Sequence, residues 1–186
     1  MEDRLTRQDW LTAALSTLAR DGVAALRVEP LAKRLGVTKG SFYWHFADRP
    51  ALLASVLAEW ERRATDAVID EVEAAGGDAA GRLMNLFRIA ATADGRLERA
   101  VRAWAATDAA AAAVQGRVDA RRHAYLEAQF SGAGFALEEA ASRARIAYRS
   151  VMGGFVMAGV LMDRDRPAEE RRADAERLCA ALLRRP

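Results

Sequence analysis

The stretch VEPLAKRLGVTKGSFYWHF, residues 28–46, decides the fold. Leu31, Ala32 and Leu35 recur at the spacing of one helical face and predict a short helix over 28–35. Pro30 is compatible with it because the first turn has backbone N–H groups without intrahelical partners. Gly36 stops the helix in a conformation of positive φ. Thr38 is placed to cap a next helix, from Lys39 to His45 or Phe46. Two short helices joined by a glycine-containing turn form a helix-turn-helix unit. Ala32 is small enough for the helices to cross closely, and Val37 and Phe42 fill the core beneath them. Phe42 and Phe46 mark a buried stripe. Lys39, Ser41, Tyr43, Trp44 and His45 are left to project outward or toward neighbouring helices. A short helix that is cationic and polar at its start can enter a DNA major groove. Tyr43 and His45 lie off the stripe, and exposed aromatic rings with hydrogen-bonding tips suit phosphate contacts.

Outward from this segment the chain is helical throughout. Thr6 caps the first helix, with Asp9 at the third helical position as in a capping box. Trp10, Ala14, Leu15 and Leu18 form its core face, and Gly22 ends it. Asp48 caps a fourth helix with Pro50 in its first turn. Leu53, Val56, Leu57, Trp60, Ala64, Ala67 and Val68 mark one face of a single long helix that ends at Gly76-Gly77. Further helices are predicted over 79–92, 97–106, 108–131, 137–162 and 169–183, with a turn at Asp165-Arg166-Pro167. The fold is all-α, with about nine helices and no internal repeat. Residues 1–48 form a three-helix domain and 49–186 a second helical domain.

Composition agrees with this class. The 186 residues are 52% hydrophobic and 29% charged, with four prolines and abundant alanine, a strong helix former. The formal net charge is +2, and residues 1–50, with eight Lys+Arg against six Asp+Glu, carry all of the excess. Cys179 is the one cysteine, so no intramolecular disulfide forms and a reducing compartment is expected. The N-terminus lacks the apolar core of a signal peptide. The longest uncharged apolar run, 151–162, is too short to cross a bilayer. A cytoplasmic protein without membrane partners is therefore expected. The arginine-rich, lysine-poor usage suggests a GC-rich bacterial genome.

The segment VEPLAKRLGVTKGSFYWHFADRPALL, with AALSTLARDG in the first helix, resembles the TetR family of bacterial transcriptional regulators over roughly residues 6–57. The resemblance implies a homodimer that binds double-stranded operator DNA, acts as a repressor, and is released by a small-molecule effector. No cofactor is implied. Thr38 would cap the recognition helix and touch a phosphate; Lys39, Gly40 and Ser41 would face base edges. Tyr43 and His45, with Trp44 beside them, would contact backbone or bases. Arg49 stands where the family usually carries a phosphate-binding lysine, at a helix start that favours anions. Arg27 replaces the usual Ser/Thr cap of the second helix, losing a cap and gaining a cation for phosphate. Glu29 is expected to stabilise its helix N-terminus.

For the second domain the residues themselves give two expectations. The run 151–162 is apolar or glycine on every side, so its helix needs cover on two sides. Gly153, Gly154 and Gly159 would let another helix come close. Arg149, Gly153, Val156 and Val160 share a face and, with Leu178 and Leu182 of the last helix, form the expected dimer interface. Trp60, Met84, Phe87, Trp104, Tyr125, Tyr148, Met152 and Phe155 are the large side chains available for an effector pocket. Arg88, Arg102, His123 and Gln129 are the polar candidates, with His123 expected in solvent. No His/Cys/Asp/Glu cluster has metal-ligand spacing. Ser41, His45 and Asp48 superficially suggest a catalytic triad, but they share one short surface segment open to water, so no enzyme is expected.

Overall fold

The computed structural model describes residues 5–157 and 166–185, and their regular structure is entirely helical. The helices are α1 (Arg7–Asp21), α2 (Val28–Arg34), α3 (Lys39–Tyr43), α4 (Arg49–Glu61), α5 (Ala67–Ala75), α6 (Ala79–Thr92), α7 (Arg96–Ala105), α8 (Ala109–Gly132), α9 (Leu137–Met157) and α10 (Ala168–Leu183). A 3₁₀ turn, Val23–Ala25, precedes α2. A π-helical turn, Arg62–Asp66, joins α4 to α5. The long helix expected from Asp48 to Gly76 is thus interrupted by one widened turn. Gly159, Val160 and Met162 lie outside the described residues.

The chain forms two compact units. The first comprises Met1–Arg63 and Arg96–Gln115; the second comprises Ala64–Gly95 and Gly116–Pro186.

In the first unit α1 packs on α4 and α7. Its core holds Trp10, Leu18, Leu26, Leu31, Phe42, Leu52, Val56, Trp60 and Val101. At α1 and α4 the capping chemistry is as the residues foretell. Thr6 accepts from the Asp9 amide while the Asp9 carboxylate accepts from the Thr6 amide, and the Asp48 carboxylate accepts from the Ala51 amide at 2.8 Å. α2 closes in a Schellman motif: the Gly36 amide donates to Lys33 and the Val37 amide to Ala32, with Gly36 at φ +70°. Only glycine holds that angle without strain.

In the second unit α6 packs along α10. Leu83, Phe87, Leu126, Phe130, Phe135, Cys179 and Leu182 fill its core, together with the α9 alanines Ala140, Ala144 and Ala147. The C-terminus of α8 repeats the Schellman pattern at Gly134, and the Phe135 ring closes edge-on over Phe130 at 6.1 Å. Arg143 of α9 donates to the Leu182 and Arg184 carbonyls and lies over the Phe135 ring, which ties down the end of α10.

Candidate nucleic-acid interface

α3 is held from beneath by aromatic packing. Phe42 is fully buried, edge-on to Trp10 at 5.4 Å and stacked on Phe46 at 5.3 Å. The Arg7 guanidinium lies 5.1 Å from the Phe46 ring centroid. A helix of five residues has little stability of its own; this cluster fixes its position. With Phe42 turned inward, Lys39, Gly40, Tyr43 and Trp44 face solvent, with Tyr43 53% and Trp44 78% exposed. Ser41 and His45 are half-buried. Two large exposed rings on one short helix are costly unless they are covered by a partner.

Three residues differ in detail from expectation. Thr38 stands at the N-cap in extended geometry, but its side chain makes no capping hydrogen bond, and the first turn closes through its carbonyl to the Ser41 amide. Arg49 is half-buried: Nε donates to the Leu26 carbonyl at 2.6 Å and Nη2 to the Val23 carbonyl at 3.3 Å. It braces the start of α4 against the 3₁₀ turn before α2. Glu29 does more than sit at a helix start, since it pairs with Lys39 at 2.8 Å. Arg27 is exposed at the uncapped start of α2, as its sequence position suggests. Asp48 serves as a cap, so its carboxylate is occupied by structure.

The residues considered for an effector pocket divide between the two units. Trp60 and Trp104 are buried in the first, where Trp104 bonds the Asp108 side chain. Phe87 is a core residue of the second, with Met84 packed beside it. Tyr125 donates to Glu73 at 2.7 Å, and Phe155 presses on Gly95, where an added Cβ would lie 2.9 Å from the ring. Tyr148 and Met152 are brought together around a residue the sequence did not single out, Arg122. Its guanidinium donates to the Ala64 carbonyl at 3.0 Å, to the Thr65 hydroxyl at 3.1 Å and toward the Met152 sulfur at 3.8 Å. Tyr148 donates to Asp119 at 2.6 Å, and burial, with that bond, pushes its hydroxyl up to about 12. The polar candidates lie elsewhere: Arg88 pairs with Glu176, Arg102 with Glu98, and Gln129 is buried. His123 is half-buried rather than solvated, with Nε2 enclosed. Among the described residues no group of three His, Cys, Asp or Glu could hold a metal ion.

On α9, Arg149 is exposed, Gly153 has open space where a Cβ would stand, and Val156 is 49% exposed. Ile146, 50% exposed, extends this face. Leu182 departs from it: it is buried in the core of its own chain, and Leu178 packs against that core. The α10 leucines therefore serve intrachain packing rather than the interface expected of them.

A short helix anchored by aromatic residues, crossing a Gly36-turned partner and presenting lysine and aromatic side chains, defines a helix-turn-helix protein. Residues 11–56 match the profile of bacterial regulatory proteins of the tetR family. This N-terminal segment is thus a helix-turn-helix domain of the TetR type. The same region is 38% identical over 60 residues to the HTH-type transcriptional regulator AcrR of Shigella flexneri, covering 32% of this chain and 26% of that protein. That match therefore spans about a quarter of the relative's length. Whole-chain likeness appears in solved structures. A TetR transcriptional regulator from Legionella pneumophila superposes with a TM-score of 0.79 at 16% identity, over 99% of this chain and 100% of that one. A Rhodococcus transcriptional regulator gives 0.76 at 22%, over 96% of each chain. At such identities these structures establish the fold. Among the described residues no helix is long and apolar enough to cross a membrane.

Proposed function

We propose that this chain is a transcriptional repressor that binds a two-fold operator as a homodimer and is released by a small molecule. The observation that carries the DNA-binding part is the outward face of α3, where Lys39, Tyr43 and Trp44 stand exposed on a helix fixed from below by Phe42. Lys39, Gly40 and Ser41 read base edges, while Thr38, Tyr43, His45 and Arg27 hold phosphates, with Trp44 beside them. Arg49 positions α4 and offers its remaining N–H groups to phosphate. The partly exposed apolar residues Ile146, Val156 and Met157 support pairing of two copies through α9. The cluster of Tyr148 and Met152 around Arg122 supports a mainly apolar effector with one polar group, because a ring, a thioether and a cation meet there.

The test is selection of bound duplexes from a random DNA library by the full chain. Enrichment of a two-fold sequence with half-sites about 34 Å apart is expected. Recovery of the library unchanged would refute the reading. Effector and operator must weaken each other's binding by one common factor, about 5- to 150-fold.

A further inference from the structure

Glu29 occupies a place where a plain polyanion binder gains nothing from an acid. Its carboxylate is 73% exposed beside α3, with Oε1 2.8 Å from Nζ of Lys39, itself 52% exposed. A solvated pair of this kind adds little to folding. Beside phosphates the carboxylate repels its ligand. Lys39, with Arg27 further off, holds the Glu29 carboxyl below the usual carboxylate range, so it faces a ligand as an ionised acceptor. After their mutual bond the ammonium keeps further N–H donors and the carboxylate keeps further lone pairs.

The major-groove edge of a G·C pair offers the complement. Guanine O6 accepts and the cytosine N4 amino group donates, side by side. The two are joined by their own N–H···O bond, so they stand about 2.9 Å apart. A protein donor and acceptor with tips 2.8 Å apart match that spacing. We propose that Glu29 and Lys39 act as one unit that reads a G·C pair, with Lys39 on guanine O6 and N7 and Glu29 on the cytosine amino group. The assignment rests on reading α3 as the recognition helix.

The alternatives are rejected by named groups. C·G and A·T reverse the order of donor and acceptor, which sets the Glu29 carboxylate against a carbonyl. T·A keeps the order but gives Lys39 no N7 and places the thymine methyl beside its charge. Glu29 has a second effect. It weakens contact with every sequence through phosphate repulsion and recovers that loss only where an amino group faces it. The ratio of specific to random binding rises accordingly.

Selection from a random duplex library by the full-length protein, its E29Q variant and its K39A variant tests this. Both side chains are exposed, and circular dichroism checks that each variant is folded. Wild type is expected to enrich a G·C pair in each half-site. E29Q should lose its discrimination at the cytosine by roughly tenfold, within the range of about 5- to 150-fold for one base contact, while binding random DNA more tightly. K39A should lose discrimination at the guanine of the same pair. Unchanged base preference in E29Q, with altered preference in K39A, would overturn the paired reading and leave Lys39 acting alone. Failure of the wild type to enrich any sequence would overturn both this assignment and the recognition helix itself.

Discussion

At Gly40 folding and recognition make separate demands. Its φ is not positive, and an added Cβ would meet only the Thr38 hydroxyl at 3.6 Å, an ordinary contact. The chain therefore has no steric need for glycine there, whereas the proposed close approach of a duplex to α3 would supply one. Gly40→Ala should leave stability equal or raise it by up to about 1 kcal/mol and weaken binding to a selected duplex at least tenfold. Unaltered affinity in a titration would remove Gly40 from the interface. At Glu59 the demand is one of folding. The side chain is buried and accepts from Arg62, Gln8 and Arg63, which hold its carboxyl at about 2. A folded-state value below the unfolded one means that its contribution is full above pH of about 4.5 and is lost as pH falls toward 2. That contribution is about 2 kcal/mol once the exposure of both arginines is allowed for. Urea midpoints of wild type should fall across this window, and those of Glu59→Gln should be lower at pH 7 and less dependent on acid. Parallel curves would show that the network adds nothing. Phe42 and Phe46 were legible because a buried stripe is written in the spacing. Arg49 was not, because its partners are the carbonyls of Leu26 and Val23, which no side-chain pattern announces.

At the scale of elements, caps and stops were readable and the π turn was not. Residues 61–68 continue the apolar spacing of α4 without a glycine or proline, so the sequence shows one helix. The widened turn has its partner on α8, where Arg122 takes the Ala64 carbonyl and the Thr65 hydroxyl. A π turn inside an α-helix is often a functional element, and this one is held by Arg122, with Arg121 paired to Asp66 at 3.0 Å. Arg122→Leu should lower stability by about 1.5–3 kcal/mol, the range for hydrogen bonds to a charged group, and speed amide exchange at Thr65 to Val68. Exchange unchanged within error would show that the turn is intrinsic to its own sequence. α9 divides in a readable way, with Ala140, Ala144 and Ala147 inward and Ile146 outward. Leu182 was misjudged because α10 lies against α6, and nothing in its own periodicity says which apolar side meets that neighbour.

At the scale of the whole molecule, the first unit was largely legible because turn chemistry and aromatic anchoring are local. The second was legible in helix number alone, since its polar cluster joins residues 64, 119, 122, 148 and 152 through tertiary packing. The proposed pairing of two copies uses the outer face of α9, where Ile146 and Val156 are exposed. A double change, Ile146→Glu with Val156→Glu, should convert a dimer into a monomer in light scattering at micromolar concentration. A dimer that persists would place the interface elsewhere. Sequence-specific recognition of duplex DNA is tested by the affinity for a selected site and for a scrambled duplex across salt concentration. Log K should fall linearly with log salt for both, and the selected site should bind about 10³-fold or more tighter at physiological salt. Equal affinities for the two duplexes, or binding indifferent to salt, would contradict it.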